Sequence, residues 1–140
     1  MSPDDPHLLF RHQSRRVRRT PLRYFFVDLA NRVGPGRAVT CLITTDAALR
    51  RLNRQFRGKN YATDVLSFPP DELAISLDRA SAQAKELGHS LDEELRILML
   101  HGMLHLRGMD HEKDSGEMRR AETRWRKKLG LPCGLIERAQ

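Results

Sequence analysis

Residues 90–111 read SLDEELRILMLHGMLHLRGMDH, and the start, the burial and the stop of one helix can be taken from the residue types. Ser90 followed three positions later by Glu93 forms a capping box, in which each side chain satisfies the other's free backbone N–H. From Leu95 to Leu106 the apolar residues Leu95, Ile97, Leu98, Met99, Leu100, Met103, Leu104 and Leu106 fall on nearly every face of the helix. A helix apolar all round belongs in the middle of a core. Gly108 then offers the left-handed turn that ends it.

Beyond Arg96 near its start, this segment is interrupted by two histidines, His101 and His105. Four positions apart, they share one helix face about 6 Å apart along the axis, within reach of one ion. His111 returns three residues after Gly108. A lone histidine in an apolar helix is ordinarily a core residue with a backbone partner, and i, i+4 pairs arise readily by chance. A third histidine placed across a helix-breaking glycine is much rarer, and it predicts a metal site. Three imidazoles favour one Zn2+, and three protein ligands leave the fourth position open, as catalytic rather than structural zinc requires. The spacing H-x-x-G-x-x-H also occurs in metzincin peptidases, which place a glutamate base directly after the first histidine. Here that position is Gly102, so a peptidase lacks its proton acceptor.

Working outward, Leu8-Leu9-Phe10 is a strand candidate, and a helix is expected from Thr20-Pro21, with Thr20 as cap, to Gly34-Pro35-Gly36. Val39–Ile43 reads as a buried strand, and Thr45 or Asp46 caps a second helix carrying Leu49, Leu52 and Phe56 as far as Gly58. Val65–Phe68 and Leu73–Ser76 are expected to pair antiparallel. A third helix opens at Ser76 or Asp78 and runs to Gly88. A last helix starts near Ser115 and carries Met118, Ala121, Trp125 and Leu129. The expected architecture is α+β: one domain over residues 1–140, a small mixed β-sheet covered by about five helices, with the zinc site on a central helix and its following loop.

Composition narrows the function. The chain has 140 residues, 39% of them apolar, which suits one globular core rather than a disordered tail. No apolar run approaches the roughly 18–20 residues of a membrane span. Cys41 and Cys133 stand far apart and in no CxxC, which suits a reducing compartment. With Asp4 and Asp5 ahead of a short apolar run, no secretory leader is read, and the expected location is cytoplasmic. Lys and Arg number 25 against 18 Asp and Glu, a net charge of +7 that favours polyanionic partners. The arginines cluster at 11–23, 50–57 and 119–126. For any one cluster a solvated helix face is the plain alternative. Together they predict RNA binding that weakens steeply with salt.

Residues 52–68, LNRQFRGKNYATDVLSF, followed by the histidine string at 101–111, strongly resemble the YbeY family of bacterial metal-dependent endoribonucleases. The likeness runs from about Val39 to Leu129, with residues up to Arg37 matching in outline. It differs in the short Asp71-Glu72 connection and in Met109, where the family often carries an aromatic. The resemblance implies an α+β fold around one zinc and single-strand-specific cleavage of RNA. It also implies a role in 16S rRNA 3′-end maturation and ribosome quality control, with precursor rRNA and the small subunit as partners. The family's zinc histidines fall on His101, His105 and His111, and its functionally required arginine on Arg57. As a bidentate donor, Arg57 suits phosphate oxygens, in the ground state or in the transition state. Asp64, Asp110 and Glu112 are candidates to orient an imidazole or accept a proton, though each also reads as an ordinary cap or loop carboxylate. A ribosome-associated RNA-binding factor with a structural zinc is the alternative.

Overall fold

The computed structural model describes residues 6–138, so Asp4 and Asp5 lie outside the described residues. In chain order the elements are β1 (His7–Phe10), α1 (Arg19–Val33), β2 (Thr40–Thr44), α2 (Asp46–Arg57), β3 (Val65–Phe68), β4 (Glu72–Ser76), α3 (Leu77–Leu87), α4 (Leu91–Leu106), α5 (Glu117–Lys128) and α6 (Leu135–Arg138). The four strands form one mixed sheet in the order β1-β2-β4-β3. β1 runs parallel to β2 and β2 parallel to β4, while β3 is antiparallel to β4 with Leu66 opposite Ala74. The expected α+β class and the antiparallel pair are both present.

The pleat divides the sheet into two faces. Cys41, Ile43, Leu73 and Ile75 join the main core, built with Phe26 and Leu29 of α1 and with the apolar residues of α4. Leu66 and Ala74 point the other way and meet Leu49 of α2, flanked by Leu52 and Phe68. Helix α4 is the centre of the main core, with Leu95, Leu98, Met99, Leu100 and Met103 fully buried. Its N-terminus carries the complete capping box, with the Glu93 N–H 3.0 Å from Ser90 Oγ and the Ser90 N–H 3.0 Å from Glu93 Oε1. Fully burying one such leucine or methionine contributes about 1.5–3 kcal/mol, so this helix alone anchors much of the core.

Helix boundaries move slightly where local chemistry differs from the sequence expectation. Helix α1 starts at Arg19 with Arg18 as its cap and no capping side chain, so Thr20 lies inside the first turn. It stops at Gly34, whose extended backbone is what a residue before proline adopts. Ser76 rather than Asp78 caps α3, accepting from the Arg79 N–H at 3.1 Å. Helix α5 starts at Glu117 rather than near Ser115, because Asp114 reaches forward to accept from the N–H groups of Gly116 and Met118 at 2.8 and 2.9 Å. The short helix α6 has too few residues to show a periodicity in sequence.

Candidate metal centre

Gly102 sets how closely α4 approaches the sheet. A Cβ at this position would lie 2.7 Å from Leu73 Cδ2 and 3.3 Å from Val65 Cγ2. The hydroxyl of Ser67 on edge strand β3 donates to the Gly102 carbonyl at 3.3 Å. The residue after the first histidine therefore faces packed strands, and a longer side chain there would have to displace Leu73. The peptidase alternative is disfavoured by this crowding as well as by residue type.

Helix α4 ends in a Schellman turn. The Gly108 N–H bonds to the His105 carbonyl at 2.9 Å and the Met109 N–H to the Leu104 carbonyl at 3.2 Å, with Gly108 at φ +97°. The turn swings Met109 back so that its carbonyl lies 2.9 Å from His105 Nδ1. A carbonyl can only accept, so His105 carries its proton on Nδ1 and presents an Nε2 lone pair. The turn predicted from Gly108 both returns His111 and fixes the tautomer of His105.

His101 is fixed from a different direction. Its Nδ1 lies 2.8 Å from Oε2 of Glu122 on α5, and both side chains are buried. The other carboxylate oxygen accepts from the Ile136 N–H at 2.7 Å. Gly134 permits that contact, since a Cβ there would come within 2.6 Å of Glu122 Oε1. His101 thus donates from Nδ1 and offers its own Nε2 lone pair. A carboxylate behind a ligating imidazole holds the ring in place and raises its basicity.

The two Nε2 atoms stand 3.1 Å apart. With both protons on Nδ1, neither ring donates, so two lone pairs point at one another. A cation between them removes this repulsion. For nitrogen–zinc bonds of about 2.0–2.1 Å, tetrahedral ligands lie about 3.3 Å from each other, close to the separation present here. The third ring, His111, has its centroid 5.3 Å from that of His101 and 5.4 Å from that of His105. One ligand atom from each of the three histidines can be chosen so that all lie within 4.8 Å of one another. His111 Nδ1 is buried and has no hydrogen-bond partner. Partial burial, joined by the charge of the neighbouring His101, lowers the His105 pKa below its ordinary value, although the Met109 carbonyl works the other way. Lowering favours the neutral ring that a metal needs. The orphaned nitrogen, the facing lone pairs and the imidazole donor set all fit a zinc-sized cation.

The histidines line a cleft of about 1240 Å³ that also includes Phe56, Arg57, Ser67 and Phe68. Arg57 is the last residue of α2, ahead of left-handed Gly58, and is exposed at this cleft. The fold thereby brings Arg57 and the histidine group, 44 or more positions apart in the chain, to one cavity. The carboxylates singled out from sequence, Asp64, Asp110 and Glu112, line this same cleft, but none is hydrogen-bonded to an imidazole. Asp64 accepts from the Val65 N–H and from Gln83, and Asp110 from the Glu112 N–H. Neither holds an imidazole. The carboxylate that does, Glu122, was missed. Its signal was its place beside Met118, Ala121 and Trp125 on the apolar stripe of α5, where an acid is out of character.

The description of the family Endoribonuclease YbeY matches residues 13–130. The chain belongs to the YbeY endoribonuclease family. It is 54% identical over 144 residues to the endoribonuclease YbeY of Solibacter usitatus (strain Ellin6076), covering 99% of this chain and 98% of that protein. It is 42% identical over 132 residues to that of Helicobacter pylori (strain Shi470), covering 86% and 94% respectively. The solution structure of TM1509 from Thermotoga maritima superposes with a TM-score of 0.59 at 24% identity, over 90% of this chain and 93% of that one, a likeness of fold. The YbeY match begins at residue 13, well before Val39, so helix α1 lies within the matched region while strand β1 precedes it. Among the described residues, no helix is long and apolar enough to cross a membrane.

Proposed function

We propose that this chain is a zinc-dependent, single-strand-specific endoribonuclease that matures the 3′ end of 16S rRNA in the cytoplasm and serves ribosome quality control. Membership of the YbeY family supports the RNA substrate and, by resemblance, the ribosomal role and the small subunit as partner. The observation that carries the catalytic reading is the pair of Nε2 lone pairs 3.1 Å apart at the floor of an open cleft. His101, His105 and His111 would hold the ion. When bound, zinc supplies Lewis acidity that acidifies water and withdraws charge from a phosphoryl oxygen.

The remaining work falls to the chain's own residues. Glu122 holds the proton of His101 on Nδ1, and the Met109 carbonyl does the same for His105, so both Nε2 atoms remain donors of electron pairs. Arg57 is the proposed catalytic arginine, its guanidinium donating to the phosphate oxygens on which charge accumulates. Phe56 and Phe68, edge to face with centroids 5.6 Å apart, form an apolar wall of the cleft against which an unpaired base can rest. A duplex keeps its bases stacked inside and cannot use such a wall, which agrees with single-strand preference.

Elemental analysis of the purified protein, with cleavage of single-stranded RNA measured before and after chelation, tests this reading. About one zinc per chain, with cleavage lost on chelation and restored by zinc, is the outcome expected of a three-histidine catalytic site. His111→Ala should abolish cleavage and spare RNA binding. Zinc without chelator-sensitive cleavage, or unfolding of that variant, points instead to an RNA-binding factor with a structural metal.

A further inference from the structure

On the other side of α2 from the metal cleft lies a second groove of about 670 Å³, lined by Arg50, Arg51, Arg54, Asn60 and Tyr61. Arg50, Arg54 and Arg57 follow the i, i+4, i+7 spacing and form one exposed stripe about 10 Å long, which ends at the mouth of the metal cleft. Like charges at i, i+4 destabilise a helix, and surface helices usually relieve them with acids one turn away. Here the positions one turn from these arginines hold one acid, Asp46. Its carboxylate is taken by Arg79 at 3.2 Å and by the Ser76 hydroxyl at 3.0 Å. Among the described residues, Arg50, Arg51, Arg54 and Arg57 form no ion pair.

Some arginines of the other basic clusters are engaged within the protein. Arg126 pairs with Glu137, while Arg19 and Arg23 lie over the Phe10 ring. The α2 groove also has an aromatic wall. Tyr61 is 54% exposed, although its backbone is held to α2 by the Asn53 side-chain amide, which donates to the Tyr61 carbonyl at 2.9 Å. An exposed ring on a fixed backbone, beside unpaired guanidinium groups, is the arrangement that binds a base on its face and the flanking phosphates at its edge. Arg50 is partly oriented already, through Nε to Asn60 Oδ1 at 3.1 Å.

We infer that this groove is a second RNA subsite: single-stranded RNA leaves the metal cleft past Arg57, follows the Arg54–Arg50 stripe by its phosphates, and stacks a flanking base on Tyr61. The subsite rests on the endoribonuclease reading for its ligand class and extends it, because it makes recognition depend on nucleotides away from the scissile bond.

Binding of fluorescein-labelled 2′-O-methyl oligoribonucleotides, which resist cleavage, tests the subsite by anisotropy with the zinc-loaded full chain. A tetramer is short enough to occupy the cleft alone, and a dodecamer spans both sites. In Arg50→Gln/Arg54→Gln the dodecamer should bind roughly tenfold more weakly, and its log–log salt slope should fall by about 1.4, or 0.7 for each lost phosphate contact. Tyr61→Ala should weaken the dodecamer by roughly 5- to 150-fold, the range for losing one base–aromatic stack. Tetramer binding should be unchanged in both variants, and the exposed positions should leave the melting temperature unaltered. Unchanged dodecamer affinity and slope would overturn the subsite, as would equal losses for tetramer and dodecamer. Wild-type cleavage of unmodified RNA separates the two claims. Cleavage with unaltered dodecamer binding in the variants removes the subsite alone, whereas arginine-dependent binding without cleavage removes the nuclease reading alone.

Discussion

Replacing Glu122 by glutamine changes few atoms, and its consequence can be worked out from two hydrogen bonds. The carboxylate accepts from His101 Nδ1 at 2.8 Å and from the Ile136 N–H at 2.7 Å, so both partners are donors. A carboxylate has two accepting oxygens, while an amide has one and presents N–H groups on the other side. Glutamine must therefore disappoint one partner. If the Ile136 N–H is left facing the amide, a buried donor goes unsatisfied at a cost of about 1–3 kcal/mol. If His101 is left facing it, the ring proton moves to Nε2 and the lone pair aimed at the metal disappears. Loss of the negative charge weakens the imidazole as a ligand in either case. Removing such a partner typically lowers metal affinity by 10–100-fold, or about 1.4–2.7 kcal/mol.

A zinc competition titration against a chelating dye, together with thermal unfolding of the metal-free protein, measures both costs. We expect Glu122→Gln to bind zinc at least tenfold more weakly and to melt several degrees lower, at about 2–8 °C per kcal/mol. Glu117→Gln is the control and should bind zinc as wild type does, since Glu117 accepts from the Ser115 N–H outside the metal cleft. Zinc affinity in Glu122→Gln within twofold of wild type, with an unchanged melting temperature, would refute the role given to Glu122.

Three further outcomes follow from the packing and the charges. Gly102→Ala should lower the melting temperature despite the better helix propensity of alanine, because the added methyl meets Leu73 and Val65; overpacking costs about 1–3 kcal/mol, and a rise in melting temperature would contradict the fit of α4 to the sheet. Arg138→Met should cost about 3–5 kcal/mol in urea unfolding, because it strips the bidentate partner from the fully buried Glu94 and leaves that carboxylate with His89 alone. Adding Glu94→Gln to that variant should recover part of the loss. Burial tends to raise the Asp78 pKa, but the Asp46 N–H together with the hydrogen bond and charge of His12 outweighs it, and the net value is lowered. A lowered folded-state pKa contributes stability above the ordinary carboxylate range, which is lost as pH falls through the folded value. Asp78→Asn should therefore melt slightly below wild type at neutral pH, with the difference closing as pH falls below the ordinary carboxylate range. A gap that persists in acid would show that the effect is not the carboxylate's charge.

Much of this molecule could be read locally. The capping box at Ser90, the burial of α4, the left-handed Gly108 and the return of His111 all concern residues within about one helix and one turn of each other. Strand positions and the β3–β4 pairing came from short apolar runs close in sequence, and they moved by a residue at most. The start of α1 was misplaced because Thr20-Pro21 looks like a cap followed by a first turn, whereas the helix begins at Arg19 with no capping side chain. The start of α5 was misplaced because the cap came from Asp114, two positions before left-handed Gly116.

By itself, the sequence determined which helix is central, where it ends and which three imidazoles can meet, because spacing along one helix and one turn sets those distances directly. Tertiary structure alone decided the rest of the site. Glu122 reaches His101 across 21 positions, Arg138 reaches Glu94 across 44, and Arg57 shares a cleft with histidines on another helix. Hydrophobic periodicity says that an element buries a face but not which element it is buried against. The strand order β1-β2-β4-β3 and the close approach at Gly102 settle that choice, and with it which carboxylate stands behind which imidazole.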